Sequence, residues 1–213
     1  AVTRSAGATN TLEVISLNSQ SVTNTIADLQ TTGATTKIEI TGDQALVITA
    51  ALDNDLVTID GSSATGALTF TTGTGTVSAT TGTGADNITA GSGNNSLTGN
   101  AGIDTFTFGA SGGLDSDDTV SGGSGVDIIK IETTDTNETI VVADFTNVTS
   151  VETLTAGSTT GLGGNLGALA STAGITTVTF ADTGASDSLT IDAEFANDLT
   201  VNLTNSGTAI DTL

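Results

Sequence analysis

Gly122-Gly-Ser-Gly-Val-Asp-Ile-Ile-Lys130 decides how this chain folds, because glycine, aspartate and an aliphatic residue recur around it on a nine-residue period. Immediately before it stands Gly113-Leu-Asp-Ser-Asp-Asp-Thr-Val-Ser121, itself preceded by a five-residue interruption, Phe108-Gly-Ala-Ser-Gly112. Upstream, three units follow one another without a gap: Thr81-Gly-Thr-Gly-Ala-Asp-Asn-Ile-Thr89, Ala90-Gly-Ser-Gly-Asn-Asn-Ser-Leu-Thr98 and Gly99-Asn-Ala-Gly-Ile-Asp-Thr-Phe-Thr107. The glycine-rich half of each unit permits a tight turn with close backbone approach, and the short remainder is a minimal strand. Two units then make one coil of two turns and two strands, and residues 18 apart stack on adjacent rungs. Asp86 and Asp104 share one edge on that count, Asp127 continues it past the interruption, and Asn95 and Asp118 fall on the opposite edge. The eighth positions, Ile88, Leu97, Phe106, Val120 and Ile129, point between the two sheets and form a core one side chain deep.

Stacking raises the question of charge. Rungs of a parallel sheet lie roughly 4.8 Å apart, and like charges at that spacing repel by about 3.5 kcal/mol at an effective dielectric near 20. A column of bare carboxylates opposes folding. A hard divalent cation between successive turns reverses the sign, with aspartate oxygens and turn carbonyls as ligands; calcium accepts six to eight such oxygens, whereas magnesium demands a tighter octahedron. Asp115 and Asp117, beside Asp118, leave two readings open: a further calcium site or a solvated acidic turn.

The last unit fits G-G-x-G-x-D-x-U-x at every fixed position, and the series resembles the calcium-binding nonapeptide repeats of RTX proteins, which bacteria export by type I secretion. That resemblance implies a parallel β-solenoid and several structural calcium ions, with candidate metal contacts at Asp86, Asp104, Asp118 and Asp127, Asn95 as a weaker member, and carbonyls from the turn glycines Gly82, Gly84, Gly99, Gly122, Gly123 and Gly125.

Composition agrees with an all-β parallel solenoid with a thin core and short helical or loop excursions. The chain has 213 residues, 27 of them Gly, with 6 Phe as its only aromatics and no Pro, Cys, Met, Trp, Tyr or His. So few bulky side chains cannot fill a thick core, whereas abundant Thr, Val and Ile suit a repetitive sheet stabilised by nearest-neighbour rungs. The formal net charge is −21, and Arg4, Lys37 and Lys130 are the only bases, which excludes nucleic acid as a partner. The absence of cysteine excludes disulfides and thiolate metal sites. Calcium can cross-link an exported chain instead, at affinities of ~10⁻⁴–10⁻³ M in an extracellular medium. No segment approaches the ~18 consecutive apolar residues of a membrane-spanning helix.

Three segments follow from the periodicity: 1–62 as irregular β-helix rungs, 63–130 as the nonapeptide β-roll, and 131–213 as further rungs that continue into a longer chain. Strands are expected at Leu12–Leu17, Lys37–Thr41, Leu46–Thr49, Leu56–Asp60 and Ala67–Thr71, and again at Thr139–Val142, Val151–Thr155, Thr176–Phe180, Ser188–Asp192 and Asp198–Leu203. Val22–Leu29 is open between a short helix and a looped coil, and Leu162–Ala173 between a short helix and a loop. Ser63–Thr71 and Thr72–Thr80 keep the nonamer register but carry Leu68 and Val77 at the sixth position, so the period begins before the metal does and the segments form one solenoid. Ile210–Leu213 reads as part of another rung.

No catalytic centre is expected: without His, Cys or Tyr the usual bases and nucleophiles are missing, and a sugar-cleaving carboxylate pair would lack the aromatic platforms of a sugar cleft. The Thr/Ala/Gly/Asn bias and Asp144-Phe-Thr-Asn-Val-Thr-Ser-Val-Glu-Thr-Leu-Thr155 are similar to surface-layer proteins of Gram-negative bacteria, Caulobacter type. This resemblance implies a structural protein at the cell surface that assembles with copies of itself into an array or filament. It also implies a polysaccharide anchor, although the anchoring region of that family is not recognisable in these residues. The alternative is a stalk or repeat module of a large RTX adhesin.

Overall fold

A computed structural model describes residues 13–31, 35–109, 113–132, 138–157, 162–180 and 188–204. Among the described residues nineteen strands alternate between faces: β1 (Val14–Ser19), β2 (Asn24–Ile26), β3 (Lys37–Gly42), β4 (Leu46–Ile48), β5 (Thr58–Ala64), β6 (Leu68–Thr71), β7 (Ser78–Thr80), β8 (Asn87–Thr89), β9 (Ser96–Ala101) and β10 (Thr105–Gly109) precede β11 (Thr119–Ser124) and β12 (Ile128–Glu132). The remainder are β13 (Glu138–Ile140), β14 (Val148–Thr149), β15 (Thr153–Ala156), β16 (Leu162–Leu166), β17 (Thr177–Phe180), β18 (Ser188–Ile191) and β19 (Thr200–Leu203). One sheet runs β1-β3-β5-β7-β9-β11-β14, the second β2-β4-β6-β8-β10-β12-β15-β17-β19, and a third, β13-β16-β18, joins on the C-terminal side. Every strand pairing in these sheets is parallel, as a solenoid requires.

Register follows the apolar eighth positions. Phe70, Ile88, Phe106, Ile129, Leu154 and Val178 stack along the second sheet, and Ile38, Ile59, Ala79, Leu97, Val120 and Val148 along the first. All twelve are at most 3% exposed. Because successive side chains alternate in a strand, the sixth position of each nonamer also turns inward.

Three expectations change. Val22–Leu29 forms no helix: Asn24–Ile26 is β2, paired with β4, and the helical spacing is incidental because Val22 is 65% exposed. The cross-rung bond from Asn24 N–H to Ala45 O, at 2.9 Å, outcompetes local helical bonding. Leu162–Ala173 holds both β16 and a helix, α1 (Ala168–Ala173), which ends at Gly174 in a left-handed conformation (φ 113°). Phe108, expected in the interruption, instead extends β10 and is fully buried, so the register breaks after Gly109. Residues 110–112 of the interruption and Ile210–Leu213 lie outside the described residues.

From β13 onward the coil gains its third face, and α1 packs against β14 and the 3₁₀ turn Val142–Phe145. The helix thus covers the edge that the first sheet would otherwise leave open.

Candidate metal centre

One column of inward-facing sixth positions runs along the second sheet. Leu46, Leu68, Asp86, Asp104, Asp127 and Glu152 occupy successive rungs in register. The carboxylates are not solvated turn groups. Asp86, Asp104 and Asp127 are 2%, 1% and 0% exposed, so their charge needs a partner inside the molecule.

Each acid spends one oxygen in the same way. Leu68 N–H donates to Asp86 Oδ1 (2.6 Å), Asp86 N–H to Asp104 Oδ1 (2.8 Å), Asp104 N–H to Asp127 Oδ1 (2.8 Å) and Asp127 N–H to Glu152 Oε2 (2.8 Å). The neighbouring N–H groups of Thr105 and Ile128 already donate to the Asp86 and Asp104 carbonyls across the rung. At the corner, where the main-chain ladder stops, the carboxylate of the next coil supplies the acceptor that a buried N–H requires. In the apolar part of the column, Leu46 N–H reaches the Ala67 carbonyl instead, at 2.9 Å.

The other oxygens are left bare. Asp86 Oδ2, Asp104 Oδ2 and Asp127 Oδ2 are buried without any hydrogen-bond partner. Glycine makes room over two of them: a Cβ on Gly99 would collide with Asp104 Oδ2 and stand 2.7 Å from the Gly122 carbonyl oxygen, and a Cβ on Gly122 would stand 2.5 Å from Asp127 Oδ2 and collide with the Ser150 carbonyl. Each cradle therefore gathers one free carboxylate oxygen and one main-chain carbonyl from the next coil. At the Asp86 corner a side chain is present in that place, and Thr81 Oγ1–H donates to the Gly99 carbonyl at 3.2 Å. Gly123 and Gly125 adopt positive φ (110° and 153°) directly over the carbonyls of Asn100 and Gly102, which no side chain would tolerate. Gly82 and Gly84 stack on the backbone of Ala64 and of Gly66–Ala67.

The opposite edge differs. Asn95 N–H donates to Asp118 Oδ1 at 2.8 Å, repeating the ladder, but Asn95 Nδ2–H reaches the Gly91 and Gly93 carbonyls of its own turn. The amide thereby satisfies the turn carbonyls that a cation would otherwise attract, and only Asn95 Oδ1 is left without a partner. Asp118 is 3% exposed, whereas Asp115 and Asp117 face solvent. These last two belong to the turn itself: Asp117 N–H donates to Asp115 Oδ1 (2.8 Å) and Asp115 N–H to Asp118 Oδ2 (3.3 Å). Among the described residues no three acidic side chains converge on a point, so any cation here relies chiefly on main-chain carbonyls. Glu152 lies beyond the nonamers, and its signal was the spacing alone: it stands two residues before Leu154, as Asp127 stands two before Ile129.

Electrostatics point the same way. Burial pushes the carboxyls of Asp86, Asp118 and Asp127 above the ordinary range. Burial, with the neighbouring charges of Asp86 and Asp127, pushes Asp104 up to about 7. Such groups are poor anions alone and good ligands for a cation that replaces the lost water.

Residues 80–111 and 113–130 match the family model described as the RTX calcium-binding nonapeptide repeat, in 4 copies. These nonamers are RTX repeats. They bind calcium, and the site fits that ion: bare buried carboxylate oxygens and glycine-turn carbonyls form the all-oxygen donor set that a hard cation takes. Asp104 and Asp127, with the carbonyls of Gly122 and Ser150, are the residues that would hold it, whereas at Asp86 the Thr81 side chain takes the place of that opening. Bound calcium would supply positive charge between rungs. The RTX segment is thus a calcium-binding structural β-roll within a longer run of parallel rungs. No curated protein and no solved structure matches the chain. Among the described residues, no helix is long and apolar enough to cross a membrane.

Proposed function

We propose that the protein is a calcium-folded building block that associates with its own copies outside the cell, in a surface layer. The observation that carries this reading is the outer face of the second sheet. Two columns alternate with the buried ones there: Thr25, Val47, Thr69, Asn87, Thr105, Ile128, Thr153, Thr177 and Thr200 form one, and Thr71, Thr89, Thr107, Lys130, Thr155, Thr179 and Asn202 the other, in which Thr107 alone is covered by its neighbours (7% exposed). Neither contains an acid, in a chain with 24 acids and a net charge of −21. The first sheet carries two acids outward, Glu39 and Asp60 beside Lys37, against one on the strands of the second, Glu132 at the end of β12, which pairs with Lys130. Two such acidic molecules approach with least repulsion through the threonine face, and calcium that neutralises the columns lowers the barrier further. The metal is structural in this reading and no catalysis is assigned.

The stalk of an RTX adhesin is the second reading, favoured by the parallel strands, which let one copy's end rung extend another's sheet. The cover that α1 gives to the first sheet weighs against it at that end.

Calcium titration of the purified chain, with magnesium as control, tests the proposal by circular dichroism, light scattering and negative-stain microscopy. Ordered assemblies that appear with calcium, vanish with chelator and are lost in a Thr89→Asp/Thr155→Asp variant are expected. A calcium-folded wild type that stays monomeric would overturn self-assembly and move the stalk reading ahead.

A further inference from the structure

The cradle at the last repeat is closed by residues that the repeat family does not include. At Gly99 the free oxygen of Asp104 is met by the carbonyl of Gly122, the first residue of the next nonamer. At Gly122 the free oxygen of Asp127 is met by the carbonyl of Ser150, which lies 20 residues past the matched segment ending at 130. Glu152 then accepts the Asp127 N–H as Asp127 accepts that of Asp104. We propose that Ser150 and Glu152 complete a calcium site with Asp127, so that the metal ladder runs one rung beyond the RTX repeats. This rests on the repeats binding calcium.

The chemistry of the corner explains why a glutamate stands there. Ser121 pairs with Thr149 and Ile128 with Thr153, so the two turns begin and end in register. Five residues, Gly122–Val126, separate Ser121 from Asp127; only Ser150 and Val151 separate Thr149 from Glu152. The shorter path bends sharply at Ser150, which holds φ 53°, and buries Val151 completely. Across this shortened corner the glutamate side chain still brings Oε2 to 2.8 Å from the Asp127 nitrogen. Beyond Glu152 the column continues with Thr176, so Glu152 is the last acid in the column able to share a cation with Asp127. The fully buried Asp127 Oδ2, aimed into this cradle with no partner, is the group that calls for the ion.

The test is the number of calcium ions bound by the whole chain, counted by native mass spectrometry and by isothermal titration with calcium alone. Glu152→Gln keeps an oxygen that accepts the Asp127 N–H but removes the charge. It is expected to bind one ion fewer while its β-structure and remaining sites persist; Glu132→Gln, an exposed acid off the column, is expected to bind the wild-type number. An unchanged count and affinity in Glu152→Gln would reduce Glu152 to an N–H acceptor and overturn the proposal. Hydrogen exchange on the wild type gives an answer that needs no variant: calcium, not magnesium, should protect Val148–Glu152 together with the repeats. Protection of the repeats without that segment would also overturn it. A wild type that binds no calcium would instead fail the reading of the repeats themselves.

Discussion

Asp104 Oδ1 accepts the main-chain N–H of Asp86, one coil away, at 2.8 Å, while Asp104 Oδ2 stays buried and bare. One carboxylate thus does two separable jobs: it ends a backbone ladder and offers charge to a cation. Asp104→Asn retains an acceptor and removes the charge, so it should fold while losing most of the stabilisation that calcium adds at that rung. Asp104→Ala removes both and strands a buried N–H, at a further cost of about 1–3 kcal/mol. Urea unfolding in excess calcium and in chelator measures the difference; equal midpoints for the two variants would mean that the Oδ1 bond contributes nothing.

The buried column also fixes the sign of the pH dependence. Burial raises the folded-state carboxyls of Asp86, Asp104, Asp118 and Asp127, with Asp104 at about 7 against an ordinary value of 3.8. Between about pH 4 and 7 the metal-free folded chain therefore holds more protons than the unfolded chain, and its stability falls as pH rises through that window. Calcium requires the deprotonated acids, so its contribution grows over the same interval and binding releases protons. Thermal midpoints from pH 4 to 8, with chelator and with calcium, should diverge steadily. A metal-free protein more stable at pH 8 than at pH 4.5 would show that the column is not desolvated.

Much of this was legible in the chain because a period of nine fixes both the strand and the corner. The apolar eighth positions set the register of both sheets, and the strands expected near Lys37, Leu46, Thr176 and Ser188 form where alternation placed them. The inward aim of the sixth-position carboxylates follows from the pleat once register is known, yet their burial depends on how tightly the turns stack, which composition does not encode. The Val22–Leu29 segment misled because a helical spacing of three apolar residues is cheap to produce by chance. Its actual conformation is imposed by β4, a neighbour 22 residues away. Glu152 was hidden because the shortened turn before it carries no glycine, although its two-residue spacing to Leu154 is that of its equivalents.

Asn95 offers a gain-of-site experiment. Its amide donates to the Gly91 and Gly93 carbonyls and so stands where a cation would neutralise them. Asn95→Asp replaces those donors with a second buried carboxylate beside Asp118. The variant should be less stable than wild type in chelator, recover in calcium, and bind one additional ion by native mass spectrometry. Wild-type stoichiometry in saturating calcium would show that this edge lacks a cradle.

Leu68 separates the apolar part of the column from the metal-binding part. It fills the same inward position as Asp86 one coil away, is 1% exposed, and its Cδ1 would stand 2.5 Å from a Cβ on Gly61, so methyl groups pack there in place of an ion. Truncation by Leu68→Ala leaves a cavity and should cost about 2–5 kcal/mol. Because the lost energy is packing rather than charge, the cost should be alike in calcium and in chelator, unlike that of Asp104→Asn. Full rescue of Leu68→Ala by calcium would mean that the two halves of the column do not differ in what holds their rungs together.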